Sequence, residues 1–186
     1  MNGIVSLLAE PYYSRVEQLW CELERDCGLQ GMMVTPIPHF SWQVALDYNL
    51  EALRPVLQDI AASTRPFQVR TAGLGMFSGP EPVVFINLVK TAEMLNLHKL
   101  IWERTSDCAS EINHYYAPEA WIPHITLNHT KLVWPSMSCA IEKLVFQTFD
   151  WEILVSSISV ISPVEGVVGE ESLHFDFGCP PASQEC

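Results

Sequence analysis

One order of elements, strand, helix, strand, helix, strand, runs through this chain twice, and a sequence that repeats itself at such a period has few folds open to it. In the first copy, Ile4 to Ala9 is a short apolar run closed by Glu10-Pro11 and reads as a buried strand. Val16, Leu19, Trp20, Leu23 and Cys27 then fall on one face of a helix that begins near Tyr13 and stops at Gly28. Gly31 to Pro38 reads as loop and His39 to Leu46 as strand. Asn49 caps a helix carrying Leu50, Leu53, Leu57 and Ile60, in which Pro55 is a misfit that either delays the start to near Leu53 or kinks the helix. A strand runs from Phe67 to Phe77, and Ser78-Gly79-Pro80-Glu81-Pro82 turns the chain.

The second copy opens with a buried strand over Val83–Val89. Thr91 caps a helix with Met94, Leu95, Ile101, Trp102 and Cys108 on its apolar face, and Ser110 to Ile122 is a loop. His124 to Thr130 is a strand, Ser136 caps a helix with Met137, Ile141, Leu144 and Val145, and Trp151 to Ile161 alternates as a long strand. His39 and His124 stand 85 residues apart, Phe67 and Trp151 84, so two landmarks agree on the repeat. The expected fold is α+β and bilobal, each lobe an antiparallel sheet with helices on its outer face and a central cleft between the lobes. Residues 1–178 form one domain with lobe copies near 1–80 and 82–162 and a last strand at 171–178, and 179–186 is a frayed tail.

With 48% hydrophobic and 17% charged residues in 186, such a domain can bury a core without a disulfide or metal staple. Ten Lys and Arg against 22 Asp and Glu give a net charge of −12, which disfavours long duplex nucleic acid and membrane surfaces as partners. No apolar run approaches the roughly 18 residues of a membrane span, and no basic leader precedes Ile4, so a cytoplasmic monomer is expected. The six cysteines have no C-x-x-C spacing and read as reduced thiols.

The chemistry lies in one pair of motifs. Equivalent places in the two copies read Pro38-His39-Phe40-Ser41-Trp42 and Pro123-His124-Ile125-Thr126-Leu127. Strand side chains alternate, so His39 and Ser41 share one face, as do His124 and Thr126, while Phe40, Trp42, Ile125 and Leu127 point into the core. A single H-x-[ST] tripeptide says little, and a strand histidine is more often scaffold than catalyst. Two in the same slot of a duplication reverse that preference. Two imidazoles facing one another suit in-line attack at phosphorus, where one acts as base, the other as acid, and the hydroxyls donate to the phosphate oxygens without a metal.

These two motifs resemble those of the two-histidine (2H) phosphoesterase superfamily, also called 2′-5′ RNA ligase-like or LigT-like. The resemblance implies a bilobal fold and a cofactor-free enzyme with His39 and His124 as catalytic residues and Ser41 and Thr126 binding phosphate. It implies hydrolysis of cyclic phosphates, such as nucleoside 2′,3′-cyclic phosphates or short RNA ends. The alternatives it leaves open are a 2′-5′ RNA ligase or RNA-end enzyme and a non-catalytic AMP-binding module.

Tyr115, Tyr116 and Tyr12 border the expected cleft and are candidates for stacking on a base. Packing is the better account of Tyr13 and Trp121. His98 borders the apolar face of its helix, His114 and His174 read as surface residues, and His129 points away from His124. A zinc site from His114, His124 and His129 lacks a carboxylate or thiolate at a recognisable spacing. Lys131 could bring charge to a phosphate, but a solvated strand end is the better account of it.

Overall fold

A computed structural model describes residues 1–29, 36–128, 134–164 and 167–178. Most of the expected 31–38 loop, the end of the strand expected over 124–130 with His129 and Lys131, and the 179–186 tail lie outside the described residues. The chain runs β1 (Asn2–Leu7), α1 (Tyr12–Cys27), β2 (His39–Tyr48), α2 (Leu50–Ser63), β3 (Phe67–Phe77), β4 (Val83–Leu88), α3 (Ala92–Thr105), β5 (Ala109–Ile112), β6 (His124–Thr126), α4 (Trp134–Leu144), β7 (Glu152–Val155), β8 (Ser157–Val164) and β9 (Val167–Asp176). Among the described residues no helix is long and apolar enough to cross a membrane.

Local chemistry accounts for most boundaries. Gly28 closes α1 with φ at 65°, its N–H bonded to the Glu24 carbonyl, a left-handed cap that glycine adopts without penalty. Asn49 accepts from Ala52 N and Thr91 from Met94 N, capping α2 and α3 as their sequences predict. Pro55 neither delays nor ends α2, which runs through it from Leu50. Ser136 is not a cap, because α4 already begins at Trp134 with Pro135 in its first turn, where a missing N–H costs nothing.

Strands pair into two antiparallel sheets, one of five strands ordered β5-β2-β1-β8-β9 and one of four ordered β6-β4-β3-β7. α2 and α3 lie together against the larger sheet. α1 packs beside α4 and reaches the smaller sheet through Trp20 and Tyr12. The duplication is visible in the register: Leu7 faces His39 across β1–β2, and Asn87 faces His124 across β4–β6. In the ladder joining β3 to β7, Phe67 pairs with Val155 and Arg70 with Glu152, so adding 85 to one strand's numbers gives the other's. A pseudo-twofold axis therefore passes through that ladder.

The lobes are not two contiguous halves. After the second helix of each copy the chain crosses over: β3 extends the sheet of β4 and β6, and, once β7 has paired with β3 in that sheet, β8 extends the sheet of β1 and β2. The first helices cross as well: α1 belongs to the second copy's sheet, and α3, through His98, to the first. The long strand expected from Trp151 to Ile161 consequently breaks at Ser156, where the chain leaves one sheet for the other. The expected Ser110–Ile122 loop contains Asn113 to Ile122, but its beginning is strand β5 on the edge beyond β2, with Glu111 at φ 47°.

The core is continuous through both layers, with Phe40, Trp42, Ile125 and Leu127 fully buried. A buried polar chain crosses it, in which Trp42 Nε1–H donates to Ser6 Oγ (2.9 Å) and Ser6 O–H donates to the Ser157 carbonyl (2.7 Å), tying β2, β1 and β8 together. Cys27 and Cys139 correct the expectation of reduced thiols: they form a disulfide between α1 and α4. Nothing in their spacing signals it, since 112 residues separate them and only the packing of the two helices brings them together. Cys21 is exposed and free.

Candidate active site

Each motif histidine is held by a short bond within its own turn. His39 Nδ1–H donates to the Ile37 carbonyl at 2.5 Å, and His124 Nδ1–H to the Ile122 carbonyl at 2.7 Å. A carbonyl can only accept, so both rings carry their proton on Nδ1, and Nε2 is the basic nitrogen of each neutral ring. The turns themselves are equivalent: Leu8 N–H bonds the Pro38 carbonyl and Leu88 N–H the Pro123 carbonyl. His39, Ser41, His124 and Thr126 are all partly exposed, whereas Phe40, Trp42, Ile125 and Leu127 between them are buried, so the alternation expected of both motifs holds. It ends at Ser41. There β2 bulges against Ile4–Val5, with Ser41 opposite Val5 and Gln43 opposite Ile4, and both Trp42 and Gln43 are buried.

Although they belong to different sheets, β2 and β6 lie close together. An indole anchors each hydroxyl residue through its main chain: Trp20 Nε1–H donates to the Thr126 carbonyl (3.1 Å) and Trp121 Nε1–H to the Ser41 carbonyl (3.0 Å). Both tryptophans come from outside the motif they serve, Trp20 from α1 and Trp121 from the loop before β6. Trp121 is sandwiched between Trp42 and His98, the His98 ring 3.8 Å away and nearly parallel.

His98 does more than border an apolar face. Only 1% exposed, it shares its Nε2–H between the Trp42 carbonyl (3.1 Å) and the Tyr116 carbonyl (3.0 Å). Burial pulls its pKa down to about 4, so it stays neutral.

The two half-sites differ in their neighbours. The His124 ring meets Phe77 edge-on at 5.0 Å and Phe85 at 4.9 Å. Gly75 makes room for this packing, because a Cβ there would overlap the Phe85 ring. On the other side, Ser41 lies near Tyr116 and lowers the pKa of its phenol by less than burial raises it. Burial raises the Tyr116 pKa, which keeps its proton in place at neutral pH.

Of the stacking candidates, Tyr115 is 82% exposed on a 3-10 turn capped by Asn113. Tyr116 is partly buried and packs against the core. Tyr12 is engaged elsewhere: its ring stacks on Trp151 at 5.1 Å, and its hydroxyl accepts from Glu152 N. His114 is exposed. His174 is half-exposed and not isolated: Nδ1–H donates to Glu171 (2.8 Å) and Nε2 stands 3.3 Å from Asp176. Burial lowers its pKa, but the two carboxylates outweigh that and raise it overall. A cavity of about 380 Å³ opens between α2, β3 and α3, lined by Arg65, Phe67, Glu93 and Leu97 among others, and contains none of the motif residues. Trp20, His98, Phe77, Phe85 and Gly75 were not legible as site residues. Each matches a core or turn pattern, and only the tertiary pairing gives it a role.

A duplicated, strand-exchanged α+β domain that brings two H-x-[ST] strands together defines a two-histidine phosphoesterase-like protein. The family model described as 2′-5′ RNA ligase superfamily matches residues 15–166, and the chain belongs to that family. Among solved structures, TT0787 of Thermus thermophilus superposes with a TM-score of 0.66 at 17% identity, covering 95% of this chain and 97% of that one. E. coli LigT complexed with 3′-AMP superposes with a TM-score of 0.63 at 12% identity, covering 96% of this chain and 98% of that one. LigT complexed with ATP gives 0.53 at 13% identity over 96% of this chain and 100% of that one. At these identities the likeness is one of fold. No curated protein sequence matches the chain.

Proposed function

We propose that this protein is a phosphoesterase that opens a 2′,3′-cyclic phosphodiester on a nucleotide or short RNA end, with His39 and His124 as the acid–base pair. The observation that carries the reading is the equivalence of the two Nδ1 bonds, which leaves Nε2 as the working nitrogen of both rings. One neutral Nε2 takes a proton from water as its oxygen bonds to phosphorus; the protonated ring opposite gives its proton to the departing ribose oxygen. Ser41 and Thr126 donate to the non-bridging oxygens, and their indole-anchored main chains fix where those donors stand. No metal is required, because the imidazolium and hydroxyls supply the stabilisation.

A small substrate fits the charge. Arg25, Arg70, Arg104 and Lys143 are each paired with a carboxylate, and the net charge of −12 repels a long strand. The LigT complexes with 3′-AMP and ATP give precedent within this fold for a mononucleotide ligand.

The test is turnover of 2′,3′-cyclic nucleotides with and without EDTA. His39→Ala and His124→Ala should each cost about 10²–10⁴-fold in rate. Loss of turnover with EDTA sinks the metal-free mechanism, and no turnover in either condition sinks the phosphoesterase reading. Tight AMP binding without turnover would instead make the protein a nucleotide-binding module. Joining of 2′-5′ ends would make it a ligase.

A further inference from the structure

We propose that the cavity between α2, β3 and α3 is a second binding site, separate from the paired histidines, and that its ligand is a guanine nucleotide. The duplication shows what the same place holds in the other half. The five buried positions of α1, from Val16 to Cys27, recur on α3 from Met94 to Thr105, each 78 residues on, so that Leu19 answers to Leu97 and Trp20 to His98. Phe67 answers to Trp151: each stands two residues before Val69 or Ile153, two fully buried residues that face each other across the β3–β7 ladder. Over Trp151 the space is filled from α1. Tyr12 stacks on the indole at 5.1 Å, and the Arg15 guanidinium lies over it, 5.0 Å from the ring centroid. On the Phe67 side Arg15 is answered by Glu93, and Tyr12 by Lys90, just ahead of α3. Neither supplies a ring, and a cavity of about 380 Å³ stays open beside Phe67.

That volume suits a small molecule, and the walls specify its chemistry. The partly exposed Phe67 ring offers a planar base the surface that Trp151 offers Tyr12. Glu93 and Asn96, three residues apart on one face of α3, both line the cavity. A carboxylate only accepts, so Glu93 selects a base edge with two adjacent donors, and guanine presents N1–H beside its N2 amino group. The Asn96 amide N–H can donate to the neighbouring O6. Adenine would instead turn the lone pair of N1 towards the carboxylate. Arg65, on the link from α2 to β3, lines the same cavity. Among the described residues neither Arg65 nor Glu93 has an ion-pair partner, which leaves the Arg65 guanidinium to hold the phosphate.

The test is calorimetric titration of the full chain with GMP and, separately, AMP. A protein carrying both His39→Ala and His124→Ala should still bind GMP, and should bind AMP at least about tenfold more weakly. In that background Glu93→Gln and Arg65→Ala, both at exposed positions, should each weaken GMP at least about tenfold with the melting temperature unchanged. Glu93→Arg, which restores the group that Arg15 places over Trp151, should abolish binding. No GMP binding, binding lost with the two histidines, equal affinity for AMP, or an affinity unmoved by the Glu93 substitutions overturns the proposal. Because the histidines are absent from the decisive protein, the result does not depend on whether the wild type turns over a cyclic phosphate.

Discussion

His98 makes stability fall with acid by an amount that can be isolated. Its ring is almost wholly buried against Trp121 and must remain neutral, and burial holds its pKa at about 4 in the folded protein, against 6.5 for the free side chain. The folded value lies below the unfolded one, so the unfolded chain takes up the proton first. The contribution is complete above pH 6.5 and is lost as pH falls towards 4. At about 1.4 kcal/mol per pH unit, the gap amounts to about 3 kcal/mol, of which about 2 kcal/mol is already gone at pH 5. For a chain of this length that is a drop in melting temperature of roughly 4–8 °C. The comparison protein is His98→Gln, whose side-chain amide can still donate to the two carbonyls but does not titrate. His174 has the opposite sign: its folded pKa is raised, so its contribution is full below 6.5 and fades as pH rises through the folded value. It is present in both proteins and cancels in their difference. Wild type should lose about 2 kcal/mol relative to His98→Gln between pH 7.5 and pH 5 in urea unfolding. Parallel pH profiles of the two proteins would refute a neutral, buried His98.

Gly75→Ala should destabilise by about 1–3 kcal/mol and lower turnover, because its Cβ would stand 2.7 Å from Phe85 Cζ and 2.9 Å from Asn87 Nδ2, beside His124; an unchanged melting curve would show that the Phe85 ring moves freely. Trp20→Phe and Trp121→Phe each strip a donor from a carbonyl next to a motif hydroxyl, costing about 1–3 kcal/mol. Their turnover should fall more than that of a core variant of equal stability, such as Ile60→Val, and matched activity would count against the anchoring role. Cys139→Ser should lower stability by about 2–4 kcal/mol relative to the oxidised wild type, since the cross-link spans 112 residues. Reductant should bring the wild type down to the variant, and coincident urea curves without reductant would mean the disulfide contributes nothing.

What the sequence carried well was local and periodic. The alternation in Pro38–Trp42 and Pro123–Leu127, the Asn49 and Thr91 caps and the Gly28 stop each depend on neighbours a few residues away, and each stands where its pattern puts it. The pairing of the halves was hidden because strand partners are chosen over long separations. Nothing between Phe67 and Phe77 says that this strand joins β4 and not β1, and the alternation of Trp151–Ile161 does not register the change of sheet at Ser156. The bulge after Ser41 has no local signature for the same reason, since it exists only against Ile4–Val5. The Cys27–Cys139 bond likewise joins residues that only the closed fold brings together.

The crossed strands also set an order of events during synthesis. When residue 80 has been made, β1 and β2 can pair, but α1 and β3 have no sheet to lie on, because β4, β6 and β7 are still to come. The larger sheet waits longer still, since β8, its fourth strand, begins only at Ser157 and β9 ends at Asp176. With no half able to close early, the two histidine strands acquire their fixed relation only once the chain has been made as far as Asp176, and so many pairings between distant segments place folding among the slow, millisecond-to-second class.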